Sequence, residues 1–189
     1  NFGILALENR ERTIDGSLED WSRPFRKSKK EKFQYHADAS YFYIGATFED
    51  FNFGEHNLYI AIDTYDKEKG DHRLPFIDKR FGRGFEFLVK MVNKDSAAIL
   101  VDEPYSVFTD IYNDSIPVYA SRHNENGKFV RQELLTNRGR ESLTGETFDS
   151  VIVDRSSLEF GLSNQPETSN ADWYWNSESN KLELRLTWH

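Results

Sequence analysis

The stretch KLELRLTW (181–188) alternates strictly, setting Leu182, Leu184, Leu186 and Trp188 against Lys181, Glu183, Arg185 and Thr187. Side chains of an extended strand point alternately to its two faces, so a period of two marks a half-buried strand and is incompatible with a helix buried along one side. The same pattern recurs. SYFYIGATFED (40–50) aligns Phe42, Ile44, Ala46 and Phe48. NLYIAIDTY (57–65) aligns Leu58, Ile60 and Ile62 against Tyr59, Ala61 and Asp63, and GFEFLVKMV (84–92) aligns Phe85, Phe87, Val89 and Met91. Shorter β-rich runs lie at 97–101, 106–112, 128–135, 150–154 and 157–163. With 15 Phe and 9 Tyr against one Met, the composition also suits pleated surfaces.

About nine or ten strands punctuated by turn residues predict an all-β domain, a two-sheet antiparallel β-sandwich of jelly-roll or immunoglobulin-like kind. The charged stretches at 23–33 and 137–149 read as loops. No repeat of fixed period and no linker interrupts the 189 residues, a length that suits one domain. A start on Asn1 and an end one residue beyond a strand-like run suggest a piece excised from a larger protein.

The net charge of -8 supplies no basic field for a polyphosphate backbone, so nucleic acid is not an expected partner. No run approaches the roughly 20 apolar residues of a bilayer span, so no membrane insertion by this segment is expected. The absence of cysteine excludes disulfides, thiolate metal sites and a cysteine nucleophile, and leaves the compartment open. His36, His56, His72, His123 and His189 have no zinc-ligand spacing, and neither phosphate-binding glycine motif occurs.

Near the start, TIDGSLEDW (13–21) places a strand residue before an Asp-Gly turn and then Trp21. Together with SYFYIGATFED and the closing LELRLTW, this order resembles the family 9-like carbohydrate-binding modules and the related DOMON-like sandwiches, from about Thr13 to Trp188. The resemblance implies an antiparallel β-sandwich appended to secreted or cell-surface enzymes, here an extracellular or cell-surface bacterial location. It further implies sugar binding by aromatic stacking, a structural calcium, and core roles for Trp21 and Trp188.

The candidate ligand contacts begin with SNADWYWNSESN (169–180), where Trp173 and Trp175 share one strand face and Tyr174 takes the other. A flat aromatic ring beside Asn, Asp and Glu suits the C–H face and the hydroxyls of a sugar. The alternative is that both tryptophans plug the core from a strand end. The resemblance favours Trp175 as one half of a stacking pair. No earlier tryptophan supplies the other half, and Tyr65, Phe76 or Phe81 would stand in for it. In DTYDKEKGDHRLPF (63–76), Asp63, Asp66 and Asp71 with Glu68 could offer oxygens to calcium or form a solvated turn. Glu86, Glu159 and Glu183 are read as solvated carboxylates on strand faces, and no pair of them marks a glycosidase.

The reading is a non-catalytic carbohydrate-binding module that docks the other domains of its parent onto a poly- or oligosaccharide. A structural or protein-interaction sandwich without sugar is the alternative, and a carbohydrate-active hydrolase stands below it.

Overall fold

A computed structural model describes residues 13–18, 26–28, 33–64, 67–103, 127–136, 143–146, 151–161 and 171–187. Among them, in chain order, are strands β1 (Arg26–Ser28), β2 (Phe33–Ala37), β3 (Tyr41–Thr47), β4 (Leu58–Ile62), β5 (Asp71–Leu74), β6 (Ile77–Phe85) and β7 (Phe87–Asn93). They continue with β8 (Ser96–Asp102), β9 (Phe129–Arg131), β10 (Glu133–Thr136), β11 (Val151–Asp154), β12 (Ser157–Leu158), β13 (Trp173–Asn176) and β14 (Lys181–Thr187). The chain is all-β. Its strands form a five-stranded sheet ordered β1-β2-β3-β14-β13 and a second five-stranded sheet ordered β12-β8-β7-β4, with β9 also paired to β8. Two-stranded ribbons β10-β11 and β5-β6 complete it. The registered pairings are antiparallel, and neither large sheet closes into a barrel among the described residues, as a β-sandwich class requires.

The described residues fall into two compact units. One holds the first sheet, with residues 13–18, 26–28, 33–56, 92–97, 158–161 and 171–187; the other holds residues 57–64, 67–91, 98–103, 127–136, 143–146 and 151–157.

In the first unit the register runs Phe33–Ala46–Leu182–Trp175 and Tyr35–Ile44–Leu184–Trp173 across four strands. Alternating with these rows, and pointing to the opposite face, run Gln34–Gly45–Glu183–Tyr174 and His36–Tyr43–Arg185. The alternation in the sequence therefore separates an apolar face from a polar one, as expected. Burial does not follow it: Leu182 through Leu186 are all buried, Glu183 and Arg185 included. β3 and β14 are central strands covered on both sides, so their polar positions are internal.

Residues 13–18 lie over part of that polar face. Ile14 packs with Tyr43 and Ala171, flanked by Leu18, Tyr41 and Tyr174. The next residues turn sharply: Asp15 Oδ1 accepts the Ser17 N–H at 2.8 Å, and Gly16 has φ +85°. A Cβ on Gly16 would stand 2.4 Å from the Tyr174 ring, so both its conformation and its surroundings demand glycine. Glu183 accepts the N–H groups of Asp15 and Gly16, which ties this turn to β14.

At the β2–β3 turn, Asp38 Oδ1 accepts the N–H groups of Ser40 and Tyr41 at 2.7 and 2.8 Å, and Tyr43 Oη donates to Oδ2 at 2.8 Å. The carboxylate thus closes the turn and satisfies a buried phenol together.

The stretch 23–33, expected to be a loop, contains β1 and the first residue of β2, paired Arg26↔Tyr35 to Ser28↔Phe33. Its basic composition hid an edge strand, where charge is common. Trp21, Trp188 and the expected strand at 106–112 lie outside the described residues.

Candidate functional site

Trp173 and Trp175 share a face of β13, as their spacing predicts, but that face is the buried one: they are 0% and 6% exposed. Three phenylalanines explain this. Phe48, Phe51 and Phe53 follow β3 and approach Trp175 with ring centroids at 5.8, 5.1 and 5.0 Å, the last two edge-on. Asn52 shapes their loop, its Oδ1 accepting the Gly54 N–H at 2.8 Å while its carbonyl oxygen accepts the N–H groups of Glu55 and His56. Trp173 meets Phe160 at 4.8 Å and 69°. Edge-to-face clusters of this kind stabilise a core beyond the area they bury. Of the two arrangements expected for Trp173 and Trp175, a platform or a plug, their burial and ring contacts match the plug. Alternation identifies their shared face, and FEDFNF (48–53) supplies the rings that cover it.

Two of the expected calcium ligands, Asp63 and Asp71, are engaged elsewhere. Asp71 is fully buried; its Oδ1 accepts the Arg73 N–H at 2.8 Å and its Oδ2 the Lys128 N–H at 3.0 Å. Asp63 pairs with Arg83 at 3.2 Å, and Asp66 lies outside the described residues. A cation would have to displace backbone donors from Asp71 and a guanidinium from Asp63, so these two carboxylates do not fit a ready-made cage. Among the described residues no group of three or more His, Asp or Glu side chains converges as metal ligands do.

The carboxylates read as solvated divide. Glu159 is exposed, but Glu183 and Glu86 are buried. Glu86 Oε2 accepts the Thr64 N–H at 2.8 Å and its hydroxyl at 3.3 Å, whereas Oε1 has no partner among the described residues. Burial pushes the Glu86 pKa up, helped by the nearby Asp63 charge and opposed by the Thr64 bonds. At 1% exposure this carboxyl is shut off from any sugar. Asp172 is also raised, first by burial, while the Glu159 N–H and the Arg185 charge pull it down.

Two of the remaining candidates, Phe76 and Phe81, lie on the β5–β6 ribbon. Tyr65 lies outside the described residues. Phe76, in the two-residue turn of the ribbon, is 42% exposed and stacks on Tyr59 of β4, centroids 3.9 Å apart and planes 24° apart. Tyr59 sits on the face of β4 opposite Leu58, Ile60 and Ile62, so the alternation pointed it away from the apolar positions without naming a role. Phe81, half-buried, meets Phe85 edge-on at 5.5 Å and carries Lys79 Nζ 5.7 Å above its ring. The base of the ribbon is anchored: Gly84 donates its N–H to Lys67 O at 2.8 Å, and a Cβ there would collide with Lys69 O at 1.6 Å. This anchoring holds Phe76, stacked and accessible, at the tip of a short antiparallel hairpin.

Compared with known proteins, the chain matches no family model, no curated protein sequence and no solved structure.

Proposed function

We propose that this chain is a non-catalytic β-sandwich module that binds a glycan through the tip of the β5–β6 hairpin. The observation that carries the reading is the exposed Phe76 ring backed by Tyr59. Stacking on Tyr59 holds the Phe76 plane in place, so little side-chain freedom is left to lose when a sugar ring lies on it. Dispersion and burial of the sugar's C–H face would supply contact area. The polar side chains beside it would read the hydroxyls, and weak single-site binding would gain strength by multivalency with the parent protein. The proposed setting is extracellular or cell-surface.

The test is affinity electrophoresis and calorimetry against a panel of soluble polysaccharides. Retarded migration in at least one polysaccharide, lost in Phe76→Ala with an unchanged circular dichroism spectrum, is the expected result. Binding to none of them overturns it. The second reading, a structural or protein-interaction sandwich without sugar, is favoured by the burial of Trp173 and Trp175. It gains from that negative result.

A further inference from the structure

Resting on the glycan reading above, a further property of the same hairpin concerns which glycan it takes. The chain as a whole carries a net charge of -8, yet residues 71–85 hold Arg73, Lys79, Arg80 and Arg83 against Asp71 and Asp78. Asp71 is fully buried and accepts two backbone N–H groups, so of the two acids only Asp78 faces solvent. Lys79, Arg80 and Arg83 are exposed.

The cations are unequal. Arg73 pairs with Asp78 at 3.4 Å and Arg83 with Asp63 at 3.2 Å. Such surface pairs contribute little and exchange readily for an incoming anion. Lys79 has no carboxylate partner among the described residues. Its ammonium lies 5.7 Å from the centroid of the Phe81 ring, and Ile77, also exposed, stands two residues before it in the sequence. A cation beside one aromatic ring, three residues along the same hairpin from the stacked Phe76, matches a ligand that alternates flat C–H faces with fixed negative charges.

We infer that the hairpin selects an acidic polysaccharide, one bearing carboxylates on its pyranose rings, with Phe76 stacking on a ring and Lys79 pairing with a carboxylate. Uncharged glycans would satisfy the aromatic surface and leave the ammonium unpaired. Single-stranded DNA carries its charge as phosphodiesters and offers flat bases in place of pyranose C–H faces, so it separates a carboxylate-bearing sugar from any polyanion.

The experiment measures binding of the intact chain to polygalacturonate, to its fully methyl-esterified form and to single-stranded DNA, at low and at physiological salt. Polygalacturonate should bind about tenfold more tightly than the ester, with the preference shrinking as salt rises. Lys79→Glu should abolish that preference and keep the residual affinity for the ester, whereas Phe76→Ala should weaken both. Equal binding of polygalacturonate and its ester overturns the charge selection while leaving the glycan reading intact. Binding of neither overturns the acidic-polysaccharide inference and leaves the glycan reading to the wider panel above, and DNA binding stronger than polygalacturonate overturns the inference in favour of a general polyanion contact. A preference that survives Lys79→Glu places the selection elsewhere and also overturns the inference.

Discussion

Glu183 accepts the backbone N–H of Gly16 across 167 residues of sequence, and the same carboxylate oxygen accepts the N–H of Asp15. A charge buried at the centre of β14 is tolerable because two converging backbone donors meet it, and those donors exist only while the chain holds a left-handed turn at Gly16. An Asp-Gly pair early in the chain and an alternating strand late in it are thus two halves of one interaction.

Both halves are therefore expected to be sensitive. Glu183→Ala leaves one buried and one partly buried donor unanswered and should cost about 2–3 kcal/mol in urea unfolding. Gly16→Ala should cost at least about 1 kcal/mol for the positive φ alone, more once the Tyr174 ring has to move. Since the two residues share one contact, the double variant should lose less than the sum, and strict additivity in the mutant cycle would refute the coupling.

Glu86 predicts a pH dependence. Its pKa is raised in the fold, chiefly by burial, so the folded state favours the protonated carboxyl. That contribution is fully present below the ordinary value of 4.5 and is lost as pH rises through the folded value. Glu86→Gln, which imitates the protonated form, should match the parent near pH 4 and exceed it in stability at pH 7. Asp172 is raised too, and its contribution has the same sign. Thermal midpoints of parent and variant from pH 4 to 8 check this, and a difference independent of pH would contradict it.

Asp154 works in the opposite direction. Hydrogen bonds from Arg131 first, then from the Ser156 N–H and the Ser157 hydroxyl, lower its pKa to about 2. The associated stabilisation is present above 3.8 and disappears as pH falls through about 2. Arg131→Met should return the Asp154 pKa toward 3.8 in a carboxyl NMR titration. Because the pair is exposed, it should change stability by less than about 1 kcal/mol.

Calcium bears on Asp71, whose two oxygens each accept a backbone N–H. Excess calcium and a chelator should give the same unfolding midpoint, since a cation would have to break those bonds first. Asp71→Asn should destabilise by about 1–3 kcal/mol in either condition, because an amide NH2 would face one of the two donors. A midpoint that rises with calcium in the parent and not in the variant would restore Asp71 as a ligand.

How much the sequence disclosed varies by residue. Period two revealed β3, β4, β7 and β14, and it placed Trp173 and Trp175 on a common face, because side-chain alternation is local geometry. It could not distinguish a strand covered on one side from one covered on both, since that depends on which segments lie over it. Hence Glu183, a polar position in an alternating strand, reads as solvated although it is buried. β1 was missed because an edge strand need not bury anything, so Arg and Lys conceal it. The stack of Phe76 on Tyr59 joins residues 17 positions apart on different elements, and no local pattern announces such a pair.

The same distinction between covered and uncovered aromatics separates core from ligand contact by experiment. Trp175→Ala removes a ring enclosed by Phe48, Phe51 and Phe53 and should destabilise by about 3–5 kcal/mol, with any loss of binding following from loss of fold. Phe76→Ala removes a ring 42% exposed and should cost under about 1 kcal/mol while weakening glycan binding roughly tenfold or more. Urea titrations paired with affinity electrophoresis on both variants read the two quantities side by side. If Trp175→Ala stays folded yet loses binding while Phe76→Ala keeps it, the contact surface belongs at β13 and the assignment to the hairpin is wrong.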